Sequence, residues 1–148
     1  MTKHGIKLYI LLVPKKESIY QDELVCYGYD KQKDIKYQQS IQNIINANKT
    51  VPIIYPYDEM RKAKQKDYVF FKQSHHWTDW GAYLGYVKLM EQIKKDFPDI
   101  TVAALDEYKI STSSMIRDNY DRNFNTGHTT NLLGLNKFAK DVLTAEYT

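Results

Sequence analysis

Cysteine is almost missing from this chain. Cys26 stands alone among 148 residues, so no disulfide framework staples the fold, no thiolate set can hold zinc, and the redox compartment cannot be read from it. Long apolar runs are missing as well. The apolar stretch at residues 6–13 is far shorter than a membrane span. It runs into Pro14-Lys15-Lys16 rather than into the small-residue cleavage site of a secretory leader. Charge of one sign is scarce: 21 basic residues against 18 acidic ones leave a net charge of +3. The lysines are scattered among acids, and without a basic stripe or a recognisable module no nucleic-acid partner is expected. No repeat or low-complexity tract is present. Neither a Gly-x-Ser-x-Gly nor a Gly-Asp-Ser turn occurs, so no serine is marked as a nucleophile on a strained turn. Ser111, Ser113 and Ser114 are the clustered serines, and they read as ordinary loop residues.

What the chain does hold is aromatic surface. Thirteen tyrosines and two tryptophans supply rings that suit half-buried packing and also the faces of sugars. At 17.5 kDa the chain has the size of one domain, with a core large enough to need no metal or disulfide. Residues 7–13 form a continuous β-favouring run closed by Pro14, the pattern of a strand covered on both faces. Residues 17–34 read as irregular, with one helical turn. Tyr37, Ile41, Ile44 and Ile45 fall at helical spacing and predict a helix over 37–47, stopped by 46–49. A strand over 51–54, a helix over 57–65 starting near Asp58, and an aromatic strand over 68–71 follow. Thr78 is placed to cap a helix over 79–97, with Tyr83, Val87, Met90, Ile93 and Phe97 on one face and Pro98 after its end. Residues 102–105 and 108–111 read as short strands or loop, 113–130 as loop, and 132–142 as a helical tail. Strand and helix alternating in this way imply an α/β fold with a mostly parallel sheet and helices on both faces, in three layers. Ligands of such sheets bind beyond the carboxyl ends of strands.

The densest chemistry lies in Ser74-His75-His76-Trp77-Thr78-Asp79-Trp80-Gly81, between the expected strand over 68–71 and the helix that Thr78 caps. A histidine at a strand end can aim its ring into a cleft, and proton transfer needs such a ring with a partner that fixes its tautomer. The bland alternative for His76 is a ring satisfying a backbone group beneath Trp77. His75 is expected to face the other way, because neighbours in extended chain point apart, though it remains a candidate for the wall of a sugar cleft. Trp77 and Trp80 are candidates for a stacking wall, with core packing as the alternative. Gly81 is expected to allow a close backbone approach. Arg117 and Arg122 in the polar loop are candidates for holding an anionic sugar. Zinc held by His75, His76 and His128 is not expected, since adjacent histidines lack the usual ligand spacing and no acid completes the set.

This segment resembles the Asp-x-His-Trp-Thr-x-x-Gly signature of the SGNH-hydrolase-like proteins that O-acetylate bacterial surface polysaccharides, the alginate O-acetyltransferase (AlgX/AlgJ) and DHHW families. The resemblance extends to Gly5-Ile6-Lys7 through Val13-Pro14-Lys15 with Ile19-Tyr20, to residues 51–64 and 68–97, and to 127–135, where His128 stands at a frequent Asp position. It implies an SGNH-hydrolase-like fold, His76 as general base, no dissociable cofactor and no metal. It further implies a bacterial polysaccharide or oligosaccharide as partner, an acyl-donor protein as a possible second one, and a place in the periplasm or cell envelope. Two departures stand out. Ser74 occupies the position of the Asp that orients the base. A serine hydroxyl accepts the imidazole N–H but does not stabilise imidazolium as a carboxylate does, and in serine proteases that loss costs about 10⁴-fold in turnover. Asp79, at the start of the helix, is a substitute only if it folds back onto the ring. The family's nucleophile follows the base, in a Gly-Asp-Ser-type turn that this chain does not contain. The expectation is therefore a single partial domain over 1–148, incomplete at its C-terminal end: an O-acetyltransferase or esterase domain carrying the triad histidine. The alternatives are an inactive carbohydrate-binding relative and a truncated fragment.

Overall fold

The computed structural model describes residues 5–24, 28–71, 75–112 and 143–147. The first strand, β1 (Ile10–Leu11), pairs in parallel with β2 (Ile53–Ile54), Ile10 opposite Ile53 and Leu11 opposite Ile54. The Ile10 and Leu12 amides extend the ladder by donating to Pro52 and Ile54 carbonyls at 2.9 and 2.8 Å. The strand is shorter than the apolar run over 7–13, and its residues are not covered on both faces: Ile6 is 69% exposed and Leu8 46%. Proline explains the length. Pro52 and Pro56 bracket β2, and without N–H groups they cut off donation to a longer partner strand.

Pro14 turns the chain into a one-turn helix, α1 (Lys16–Ile19), which buries Ser18 and Ile19. Helix α2 (Lys31–Ala47) starts a turn and a half ahead of the expected Tyr37, because the Asp30 carboxylate accepts from the Gln32 and Lys33 amides and satisfies two of the donors a helix start leaves open. Asn48 ends it, its side-chain oxygen accepting from the Thr50 amide at 3.1 Å. Helix α3 (Tyr57–Ala63) carries Asp58 and Glu59 in its first turn and Arg61 and Lys62 in its last, the order a helix dipole favours.

Residues 68–71 do not lie in the parallel sheet. They fold back on 76–78 as a small antiparallel hairpin, with a bridge between Phe70 and Trp77, the Phe71 amide donating to the His76 carbonyl at 3.1 Å and the Thr78 amide to the Val69 carbonyl at 3.0 Å. Helix α4 (Asp79–Ile93) then begins as expected, the Thr78 hydroxyl accepting from the Gly81 amide at 3.2 Å. It stops short of Phe97. Beyond Ile93 the chain loosens into turns, Asp96 is taken by Lys7 and the Tyr9 hydroxyl, and Phe97 is left 45% exposed with Lys7 over its ring. A second sheet, β3 (Tyr108–Thr112) antiparallel to β4 (Leu143–Tyr147), packs beside α4. The expected helix over 132–142 lies outside the described residues.

The core holds these pieces together. Ile19 at the end of α1 and Tyr20 after it, Met60 and Ala63 of α3, and Val69 and Phe70 of the hairpin are buried against one another, with Tyr57, Trp77, Trp80 and Leu84 packed around them. The Tyr20 hydroxyl accepts the Val69 amide at 3.0 Å within this cluster, so a polar tip is satisfied where burial would otherwise be unfavourable. Burial pushes that phenol upward.

Candidate functional site

Two segments distant in sequence meet at one hollow. Val13 to Glu17, the chain leaving the carboxyl end of β1, forms one side, and Phe70, His75, His76 and Trp77 of the hairpin form the other, around a volume of about 440 Å³. That falls in the range of about 300–1,000 Å³ typical of small-molecule sites. The placement agrees with ligand binding beyond a parallel strand's carboxyl end, but by another route than strand 68–71 ending at the edge: β1 supplies the strand end and the hairpin brings the histidines to it.

The hairpin is fixed by polar contacts at both ends. Thr78, 1% exposed, donates from its hydroxyl to the Tyr68 carbonyl at 2.6 Å while accepting from Gly81. Lys16 donates from Nζ to the Phe71 carbonyl at 2.6 Å, tying the hairpin to the rim of α1. A Cβ at Gly81 would lie 2.2 Å from the Val69 carbonyl oxygen. Only glycine fits where α4 crosses the hairpin this closely, the close approach expected at that position.

His75 and His76 both line the hollow, their ring centroids 4.1 Å apart and their planes at 42°. This corrects the expectation that they point apart. The chain bends at both residues instead of running extended, so the alternation that separates neighbouring side chains does not apply. His75 is exposed and His76 half-buried. Trp77 serves two masters: it lines the hollow and packs on the core, with the far edge of its indole against Gly85. Trp80 packs against the core with its ring stacked on Tyr83 at 6.0 Å, and it does not line the hollow. Its buried indole N–H finds no acceptor among the described residues. Ser74 and Arg117 lie outside the described residues, as do Arg122 and His128. Ser111 belongs to β3.

Glu17 is the carboxylate that sequence reasoning passed over. It lines the hollow beside the two histidines, whereas Asp79 does not. Its only signal in the sequence is its place three residues after the proline that closes β1, which means nothing until the hairpin is known to return there. Among the described residues no cluster of three histidines, cysteines or acids is arranged to hold a metal, and no helix is long and apolar enough to cross a membrane.

A parallel strand pair with flanking helices and a histidine-bearing hollow off the strand end agrees with the SGNH-hydrolase-like fold that the resemblance implies. The chain belongs to the family described as SGNH hydrolase-like domain, acetyltransferase AlgX, whose family model matches residues 1–146. Among solved structures, the chain is similar to a DHHW family protein from Eubacterium siraeum DSM 15702, with a TM-score of 0.60 and 19% identity over 97% of this chain and 41% of that one. It is also similar to the O-acetyltransferase domain of Pseudomonas putida AlgJ, with a TM-score of 0.55 and 19% identity over 98% of this chain and 49% of the other. Bacillus cereus PatB1 with a sulfonyl adduct gives 0.57 and 20% over 76% and 38%. The chain thus spans less than half the length of each of these structures. No curated protein sequence matches it.

Proposed function

We propose that this chain forms the base-bearing part of an O-acyltransferase or esterase domain that acts on a bacterial surface polysaccharide or oligosaccharide in the periplasm or cell envelope. The observation that carries this reading is the His76 ring lining a sugar-sized hollow off the carboxyl end of β1, in a chain that belongs to an acetyltransferase domain family. Its span of less than half of each solved relative supports a partial domain, with the serine nucleophile contributed from outside residues 1–148.

In the proposed reaction His76 takes the proton of the serine hydroxyl as its oxygen attacks the acyl carbonyl of a donor, which a partner protein presents. The donor's leaving group departs with that proton and the acyl group becomes a serine ester. A sugar hydroxyl then loses its proton to His76 and attacks the ester. The acyl group passes to the sugar oxygen, and the imidazolium returns the proton to serine. Every step uses only imidazole, hydroxyl and ester, and calls for no dissociable cofactor or metal. Ser74 orients His76 in this scheme, while His75 and Trp77 wall the sugar. Trp80 acts by holding the wall in place and Arg117 by meeting an anionic group of the substrate. Turnover of 4-nitrophenyl acetate by a protein that carries both this chain and the serine, lost in His76→Ala, would support the proposal; turnover there that His76→Ala leaves unchanged would overturn it.

The serine at the orienting position favours a second reading, a carbohydrate-binding relative that has lost catalysis, since no carboxylate then stabilises the imidazolium. Glycan binding by a protein that never turns over an acetyl ester would select it.

A further inference from the structure

A second hollow, of about 590 Å³, adjoins the first and shares Lys15 and Glu17 with it. It lies between α1 and the first turn of α2, and its floor is Asp34. That carboxylate is 5% exposed, and no lysine or arginine is paired with it among the described residues. Two hydroxyls reach it, from Ser18 and from Tyr29 at 3.0 Å, and both donate to the same oxygen, Oδ1. Among the described residues nothing donates to Oδ2. Oδ2 is not among the buried atoms sealed off without a partner, so it stays open to the hollow, where a ligand hydroxyl can take the place of water as its donor.

The charges around it restrict what that donor is. Lys15 and Lys33 face Glu17, Asp30 and Asp34 across the lining, and Lys15 is further held with its ammonium 3.7 Å over the Tyr37 ring. Acids outnumber cations here. A polyanionic chain would meet repulsion where a neutral one meets hydroxyl acceptors and aromatic edges from Tyr29 and Tyr37. Burial, together with the Asp34 carboxylate beside it, pushes the Tyr29 phenol upward, which keeps it a donor to Oδ1 and leaves Oδ2 for the ligand.

We infer that the hollow over Asp34 is a saccharide subsite, taking a neutral sugar unit next to the one acylated, with a sugar hydroxyl donating to Asp34 Oδ2. The term acylated rests on the function proposed above; the binding itself does not. The path from His76 to Asp34 past Lys15 and Glu17 then forms one groove for an oligosaccharide.

Calorimetric titration of the full chain without acyl donor tests this, using cellohexaose, mannohexaose and N-acetylchitohexaose as neutral probes and hexamannuronate as the acidic one. At least one neutral probe is expected to bind more tightly than hexamannuronate, and Asp34→Asn to weaken it about tenfold, the loss of one hydrogen bond to a charged acceptor. An amide NMR titration of the unmodified chain covers the case in which that variant fails to fold: the Gly28, Tyr29 and Lys33 signals should move with the bound probe. Failure of every neutral probe to bind, tighter binding of hexamannuronate, or NMR changes confined to residues 75–77 would each overturn the subsite. His76→Ala removes the proposed base while Asp34→Asn leaves it in place, so turnover reads the first hollow and the glycan affinity of the Asp34 variant reads the second. Loss of turnover in His76→Ala with glycan binding unaffected by Asp34→Asn would therefore remove the subsite and leave the proposed function. The converse pattern would remove the function and leave the subsite.

Discussion

Replacing Gly81 with alanine puts a methyl group where the backbone of another segment already lies. The added Cβ would sit 2.2 Å from the Val69 carbonyl oxygen and 3.1 Å from Trp77 Cβ, so α4 and the hairpin must separate by roughly an ångström to reach ordinary contact. Overpacking of this kind costs about 1–3 kcal/mol. The separation also strains the Thr78 amide bond to Val69, 3.0 Å long, whose loss adds about 1 kcal/mol. Against this, alanine in place of glycine inside a helix returns about 1 kcal/mol. The net is a destabilisation of about 1–3 kcal/mol, or a fall in Tm of roughly 3–10 °C for a chain of this size. Urea unfolding followed by circular dichroism measures it. Gly85→Ala is the control: its Cβ would meet the Trp77 ring edge at 2.9 Å and a Leu11 methyl at 3.4 Å, both ends of side chains that can yield, and the helical gain of about 1 kcal/mol offsets most of the cost. A Gly81→Ala protein as stable as the parent would refute the argument that the hairpin bearing His76 is seated by backbone contact with α4.

Thr78→Ala removes a helix cap and leaves the Tyr68 carbonyl without its 2.6 Å donor; stability should fall by about 1–2 kcal/mol, with Thr78→Ser restoring most of it in the same unfolding assay. Lys16→Met releases the Phe71 carbonyl and should lower stability by about 1 kcal/mol; an unchanged urea midpoint would show that Lys16 does not hold the hairpin. Burial pushes the Tyr55 phenol up to about 12, and its hydroxyl donates to the Gln38 amide oxygen at 2.7 Å. The folded state therefore keeps a proton that an unfolded tyrosine releases near pH 10, so this contribution to stability is complete below about pH 10 and is lost as pH rises to about 12. Ultraviolet titration of phenolate should show tyrosines ionising near pH 12, one fewer in Tyr55→Phe, and complete ionisation near pH 10 would contradict the burial of that ring.

The local rules of helix formation were legible residue by residue. Thr78 caps α4, Gly81 permits a close crossing, and the acids and bases of α3 follow its dipole, each readable from one side chain and its neighbours. Asp30 belonged to the same class of signal and was passed over, because the irregular look of residues 17–34 masked a cap followed by a helix that only later turns apolar. Strand extent was not legible. The run over 7–13 predicts a long buried strand, yet a strand is only as long as its partner, and the partner is limited by prolines at 52 and 56. The same holds for 68–71, whose β-favouring aromatics pair with 76–78 rather than with the parallel sheet, a choice set by tertiary contacts with Tyr20 and α4.

The site shows why residue type singles out His76 and says nothing of its surroundings. A histidine beside tryptophan and a helix cap is conspicuous in any alphabet of motifs, but what its ring meets depends on which other segment turns back toward it. Here that segment is the one leaving β1, delivered by Pro14 and held by Lys16 on the Phe71 carbonyl. It brings Glu17 to the hollow while Asp79, nearer in sequence to His76, stays in the first turn of α4 and off its lining. The lining of the hollow thus takes the acid farther in sequence and leaves out the nearer one, and the bend at residues 75 and 76 brings both imidazoles to the lining that α1 shares. The contacts that fix this bend are backbone contacts, Phe71 to His76 and Thr78 to Val69, so the direction of the imidazole is a property of the hairpin as a unit.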